Sequence, residues 1–149
     1  MFTIYLDVCC LNRPYDDQRQ DRVRLESEAV RVILSRVVSG RWAWASSDMV
    51  RREIEQIPDA RRRGRVRLQT QSATVTIEMG DSELARGKIL SAMGFGSADA
   101  LHLACAEAGG VDIFLTTDDR LQRLATRRSG DLHVRVANPR SWLSEIGAQ

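Results

Sequence analysis

The sequence predicts an α/β domain whose mostly parallel sheet is covered by helices on both faces. Three observations predict it. Short apolar, β-branched and aromatic runs alternate with longer amphipathic stretches, turn and cap residues separate them, and no repeat, linker or low-complexity segment interrupts the alternation. At 149 residues the chain has the ordinary size of one domain, so a single unit over residues 1–149 is expected.

Phe2 to Leu6 is an apolar run closed by Asp7, the pattern of a buried first strand with an aspartate at its carboxyl end. Asn12-Arg13-Pro14-Tyr15-Asp16-Asp17 is turn chemistry and predicts a loop. A helix is expected from Asp21 to Val38, with Val23, Val30, Ile33, Leu34 and Val37 on one stripe and Gly40 placed to stop it. Trp42 to Ala45 reads as a second strand, and Ser46, Ser47 and Asp48 offer caps for a helix from Met49 to Ile57, which Pro58 closes. An arginine-rich helix from Asp59 to Gln71 and a strand from Thr74 to Ile77 follow. Asp81 or Ser82 caps a helix reaching Met93, Gly94-Phe95-Gly96 breaks it, and Ser97 caps the next helix through Glu107. Asp112 to Thr117 is a second buried strand, Asp118 to Arg128 a helix, and Leu132 to Val136 an edge strand. Asn138-Pro139 opens a last short helix.

A composition of 43% hydrophobic and 28% charged residues is that of a soluble globular protein and excludes disordered, collagen-like and coiled-coil chains. The longest stretches without Asp, Glu, Lys or Arg, residues 68–77 and 89–98, reach about half of a bilayer span, so no membrane crossing is expected. The chain meets Asp7 before any signal-peptide core can form, and Cys9, Cys10 and Cys105 make no CxxC pair or metal-finger spacing. A cytoplasmic protein with reduced thiols is expected, and zinc is not implied.

The net charge of +2 hides an asymmetry. Between Arg51 and Arg67 seven arginines face Glu53, Glu55 and Asp59. Arginine's planar fork suits phosphate, which makes this stripe, Arg62 and Arg63 in particular, a candidate contact for a nucleic-acid backbone. Lys88 is the only lysine among 22 basic residues, a bias that a GC-rich genome produces by itself, so a solvated helix face reads equally well.

In open α/β sheets ligands gather beyond the carboxyl ends of the strands. Asp7 and Asp118 stand at two such ends, Asp99 lies in the first turn of its helix, and Glu53 projects from the helix after the second strand. Four carboxylates in one crevice repel one another unless a hard cation joins them, and oxygen-only ligation selects Mg²⁺ or Mn²⁺. Each acid also has a plainer role. Asp99 and Asp118 would complement helix dipoles, and Glu53 would pair with Arg51 or Arg52. Asp7 is harder to dismiss, since an ionised group at the end of a buried strand is costly without a partner. No GxxxxGK motif exists, which excludes a P-loop NTPase, and no Asp-x-Asp pair follows the first strand, which argues against a flavodoxin-like phosphatase or signalling domain.

Four ordered segments, Ile4-Tyr5-Leu6-Asp7, Ser46 to Ile54, Ala98-Asp99-Ala100-Leu101-His102-Leu103-Ala104 and Phe114-Leu115-Thr116-Thr117-Asp118, resemble the PIN-domain nucleases over nearly the whole chain. The resemblance implies a three-layer α/β/α sandwich that hydrolyses RNA with Mg²⁺ or Mn²⁺. It carries the family's acidic residues to Asp7, Glu53, Asp99 and Asp118, with Asp7, Asp99 and Asp118 as metal ligands and Glu53 binding metal or orienting a metal-bound water. Thr116 resembles the family's hydroxyl residue two before the last Asp, placed to fix a ligand or water. Many small bacterial members are toxins held by an antitoxin, and a homodimer also fits. The alternative is a PIN-like module without catalysis that binds RNA or protein.

The family commonly has a small polar residue two after the first Asp, where this chain has Cys9. Asn12 would substitute for it, or Arg13, reaching a phosphate; a turn role reads equally well. Asp119 is expected to cap its helix, leaving Asp118 to the metal. His102, between two leucines, is expected to pack rather than catalyse, and Cys9-Cys10 to be a small buried pair. Trp42 and Trp44 are expected in the core or at a dimer contact.

Overall fold

The computed structural model describes residues 1–147. Five parallel strands, β1 (Thr3–Leu6), β2 (Ala43–Ser47), β3 (Val75–Ile77), β4 (Ile113–Leu115) and β5 (Arg135–Ala137), lie in the order β3-β2-β1-β4-β5. Eight helices flank them: α1 (Val8–Asn12), α2 (Asp21–Val38), α3 (Asp48–Glu55), α4 (Ala60–Gln69), α5 (Asp81–Ala92), α6 (Ser97–Ala108), α7 (Asp119–Arg127) and α8 (Pro139–Glu145). This is the expected α/β/α sandwich.

The chain leaves β1 toward β2 on one side and later returns to β4 on the other, so the order reverses between β1 and β4. That switch point opens a crevice at the strands' carboxyl ends. Ile4, Tyr5 and Leu6 stand in register with Ile113, Phe114 and Leu115, and all six are buried, as strands covered on both faces require. The register sets Asp7 beside Thr116, and the Asp7 N–H continues the ladder to the Leu115 carbonyl at 2.9 Å. Tyr5 stacks on Phe114 with ring centroids 5.1 Å apart.

Helix α2 starts and stops where the apolar stripe and Gly40 predict. Trp42 and Trp44 are both buried, Trp42 against Phe2 and Trp142, which assigns them to the core. Helices α5 and α6 pack closely because Gly87 leaves room: a β-carbon there would lie 2.8 Å from Leu101 Cδ2. The stretch after β1 departs from expectation. Val8–Asn12 is helical, and Arg13–Tyr15 is a turn of 3₁₀ helix that Pro14 favours, where a loop is expected from Asn12 onward. Ser46 and Ser47 extend β2, and Gly96 rather than Ser97 occupies the N-cap of α6. No described helix is long and apolar enough to cross a membrane.

Candidate active site

Asp7 ends β1 and is buried. Thr116, at the end of β4, donates its hydroxyl to Asp7 Oδ2 at 2.8 Å and accepts the Asp118 N–H at 3.1 Å, so one side chain orients the acids of two strands. Asp118 is itself the N-cap of α7, its Oδ1 accepting the Arg120 and Leu121 N–H groups at 2.9 and 3.2 Å. Asp119 does not cap the helix; its carboxylate meets Arg22 through two bonds of 2.6 and 2.8 Å. The cap falls to Asp118 because its backbone is extended while Asp119 is already helical. Cys9 accepts the Thr117 N–H and touches the Thr116 hydroxyl, both at 3.4 Å, so its thiol takes the place of the small polar residue. Cys10 beside it is fully buried.

Asp99 stands in the first turn of α6 and, among the described residues, has no hydrogen-bond partner. Burial, then the charges of Asp7 and Asp118, push its pKa up to about 6. Glu53 adds to that repulsion and the nearby His102 opposes it. Asp7 is raised too, chiefly by burial, against the opposing effects of His102 and the Thr116 hydroxyl. The structure thus brings the four acids within electrostatic reach of one another without a basic residue to neutralise all of them. Ligand atoms of Asp7, Glu53 and His102 also lie within 4.8 Å of one another.

Glu53 makes its bond with His102 rather than with Arg51 or Arg52. His102 Nε2 lies 2.8 Å from Glu53 Oε1, and Nδ1 lies 2.7 Å from the Tyr5 hydroxyl, itself 2.6 Å from Ser47 Oγ. Ser47 in turn accepts the Val50 N–H as the N-cap of α3, the helix that carries Glu53. Both imidazole nitrogens are therefore used inside the protein, which leaves the carboxylates as cation donors. Burial opposes charge on His102, but Glu53 and Asp7 outweigh it and raise its pKa. Burial drives the Tyr5 phenol well above its ordinary range, so it stays protonated. Sequence reading offers Ser47 as a helix cap and His102 as a packed residue, and does not link either to Tyr5 or Glu53. The available signal is a tyrosine in a buried strand, whose hydroxyl must find a partner.

A cleft of about 550 Å³ runs from Glu53 past Val8, Asn12, Met49, Ile57 and Leu101, and Arg52 stands on it. Another of about 210 Å³ touches Asp99, Asp118, Gly96 and Arg120. The basic stripe is less open than its composition suggests. Arg62 bonds Asp16 Oδ1 at 2.9 Å and the Tyr15 carbonyl at 2.5 Å, and Arg63 bonds the Ile57 carbonyl at 2.7 Å. Arg13 is held by the buried Glu26 at 2.9 Å and by Asp16 at 3.1 Å. Arg61 and Arg65 face solvent from α4.

A hard cation suits this donor set. The atoms offered are carboxylate oxygens, and burial together with the neighbouring acids disfavours the charged forms of Asp7 and Asp99, a cost that a bound cation would offset. The sequence model of the PIN domain matches residues 4–127. No curated protein sequence matches the chain. The crystal structure of VapBC2 from Rickettsia felis bound to a DNA fragment from their promoter is similar in fold, with a TM-score of 0.58 and 12% identity over 92% of this chain and 98% of that one.

Proposed function

The chain belongs to the PIN-domain family, and from that premise we propose that residues 1–149 form one metal-dependent endoribonuclease, the cytoplasmic toxin of a toxin–antitoxin pair. The meeting of Asp7, Glu53, Asp99 and Asp118 at the β1–β4 crevice carries this reading. Mg²⁺ or Mn²⁺ held there supplies Lewis acidity toward the phosphate and a water made nucleophilic at neutral pH.

The protein's own groups divide the remaining work. Asp7 offers the oxygen that Thr116 does not hold, Asp118 the oxygen that does not cap α7, and Asp99 both of its oxygens. Glu53, fixed through Oε1, has Oε2 to bind the cation or orient a water. The clefts beside Glu53 and beside Asp99 and Asp118 give an RNA strand room on both sides of the scissile phosphate. Arg52, Arg61 and Arg65 supply phosphate contacts, whereas Arg13, Arg62 and Arg63 brace the segment before α2 and the start of α4. The commitment of these last three to internal bonds weakens the alternative of a non-catalytic RNA-binding module. The fold shared with VapBC2 bound to promoter DNA supports an antitoxin partner.

The test is cleavage of RNA with Mg²⁺, with Mn²⁺ and with EDTA. Asp7→Asn should abolish cutting while the melting transition stays cooperative, and undiminished cutting by the folded variant would remove the assigned mechanism.

A further inference from the structure

Resting on that reading, we infer that His102 is a positioning residue that fixes the Glu53 carboxylate, and that Tyr5 and Ser47 form with it a buried brace setting the spacing of three of the four acids.

The donor pattern follows from chemistry. A carboxylate only accepts, so Nε2 carries a hydrogen and donates it to Glu53 Oε1. On the neutral ring Nδ1 then accepts from Tyr5, the Tyr5 oxygen accepts from Ser47, and Ser47 accepts from the Val50 N–H. Every member is satisfied in one direction. Protonation of the ring reverses the Tyr5 and Ser47 hydroxyls and leaves the bond to Glu53 in place, so the brace does not depend on the charge of His102.

Placement shows what the brace connects. Tyr5 lies on β1, two residues before Asp7 at the strand's exit, His102 follows Asp99 by three on α6, and Ser47 caps the helix that bears Glu53. Tyr5, Ser47 and His102 are fully buried, whereas the Glu53 side chain is 28% exposed. Left to water, that side chain would sample several rotamers. Held by Nε2–H through Oε1, it keeps Oε2 without a partner among the described residues, and the carboxylate stands in one cluster with Asp7. Both nitrogens of a buried imidazole need partners, and here one of the two is a carboxylate of the acidic cluster.

The experiment measures Mn²⁺ affinity, by the electron paramagnetic resonance of free Mn²⁺, together with Mn²⁺-dependent RNA cleavage. The proteins are wild type, His102→Leu, His102→Gln, Glu53→Gln and the His102→Leu, Glu53→Gln double variant. In the leucine variant Tyr5 and Ser47 keep their mutual bond, one hydroxyl hydrogen loses its acceptor, and Glu53 gains water, so the melting transition is read beside the affinity. His102→Leu should lower affinity or cleavage by about tenfold or more, as loss of a group orienting a ligand does. His102→Gln, whose amide N–H replaces Nε2–H, should recover most of the loss, and His102→Leu should add nothing to Glu53→Gln. If His102→Leu does not fold, Tyr5→Phe is expected to show a smaller loss that also vanishes beside Glu53→Gln. No loss in a folded variant, or the same loss with and without Glu53, overturns the inference. Asp7→Asn separates the two levels. If it abolishes Mn²⁺ binding while His102→Leu does not weaken it, the brace fails and the nuclease reading stands; if it changes neither affinity nor cleavage, the nuclease reading itself fails.

Discussion

Asp99 shows how one residue can report on the site before any substrate is added. Burial and the neighbouring acids push its carboxyl up to about 6 in the fold, against about 3.9 in an unfolded chain, so the folded state holds its proton to higher pH. The sign follows from linkage: this group's contribution to stability is fully present below about pH 4 and is lost as pH rises through 6. In the absence of divalent metal, wild type should therefore lose about 1 kcal/mol relative to Asp99→Asn between pH 4 and pH 7, after allowance for solvent screening of a half-exposed carboxyl. Urea unfolding of both proteins across that range checks it, and a pH-independent difference would show that neither burial nor the neighbouring acids raise the Asp99 carboxyl. Thr116 makes a second residue-scale case. Its hydroxyl touches both Asp7 and the Asp118 backbone, so Thr116→Val should cut Mn²⁺ affinity by about tenfold, read by calorimetric titration, with the fold retained.

Among the elements, α4 separates two uses of arginine. Arg62 reaches back to Asp16 and the Tyr15 carbonyl, so Arg62→Ala should cost about 1 kcal/mol of stability. Arg61 and Arg65 lie one turn apart and exposed, so reversing both to glutamate should weaken RNA binding and flatten its salt dependence while leaving the denaturation midpoint nearly unchanged. Filter binding at several salt concentrations reads the first effect, and an unchanged slope would assign the stripe to solvation alone. Sequence pattern distinguishes these elements unevenly. Helix α2 is legible because its 18 residues repeat a stripe five turns long, and β1 and β4 because buried parallel strands are apolar throughout. Helix α1 is not, since five residues make little more than one turn and carry no period. Composition identifies seven arginines but cannot say which are bonded, because Asp16 and the Tyr15 carbonyl approach Arg62 only through tertiary folding. Asp7, Asp99 and Asp118 can be named as candidates from their strand-end and helix-start positions, and Glu53 from the family's ordered segments. Their brace cannot, because Tyr5, Ser47 and His102 come from three elements and meet across separations of 42 and 97 residues.

For the molecule as a whole, the strand order is what joins a folding pattern to a chemistry. Reversal between β1 and β4 places Asp7 and Asp118 on either side of one crevice, and the helix after β2 and the helix before β4 add Glu53 and Asp99. Close acids destabilise the metal-free fold near neutral pH, and a cation that binds only the folded state should offset this by mass action. Saturating Mn²⁺ at about 100 times its Kd should accordingly raise stability at pH 7 by about 2.7 kcal/mol, seen as a higher melting temperature that EDTA reverses. The most direct measurement is cleavage of a mixed single-stranded and structured RNA pool by wild type and Asp99→Asn, each with Mg²⁺, with Mn²⁺ and with EDTA. Cutting by wild type that requires metal and disappears in the variant is the predicted result; cutting that survives EDTA, or that Asp99→Asn leaves at the wild-type rate, would contradict a nuclease centred on these carboxylates.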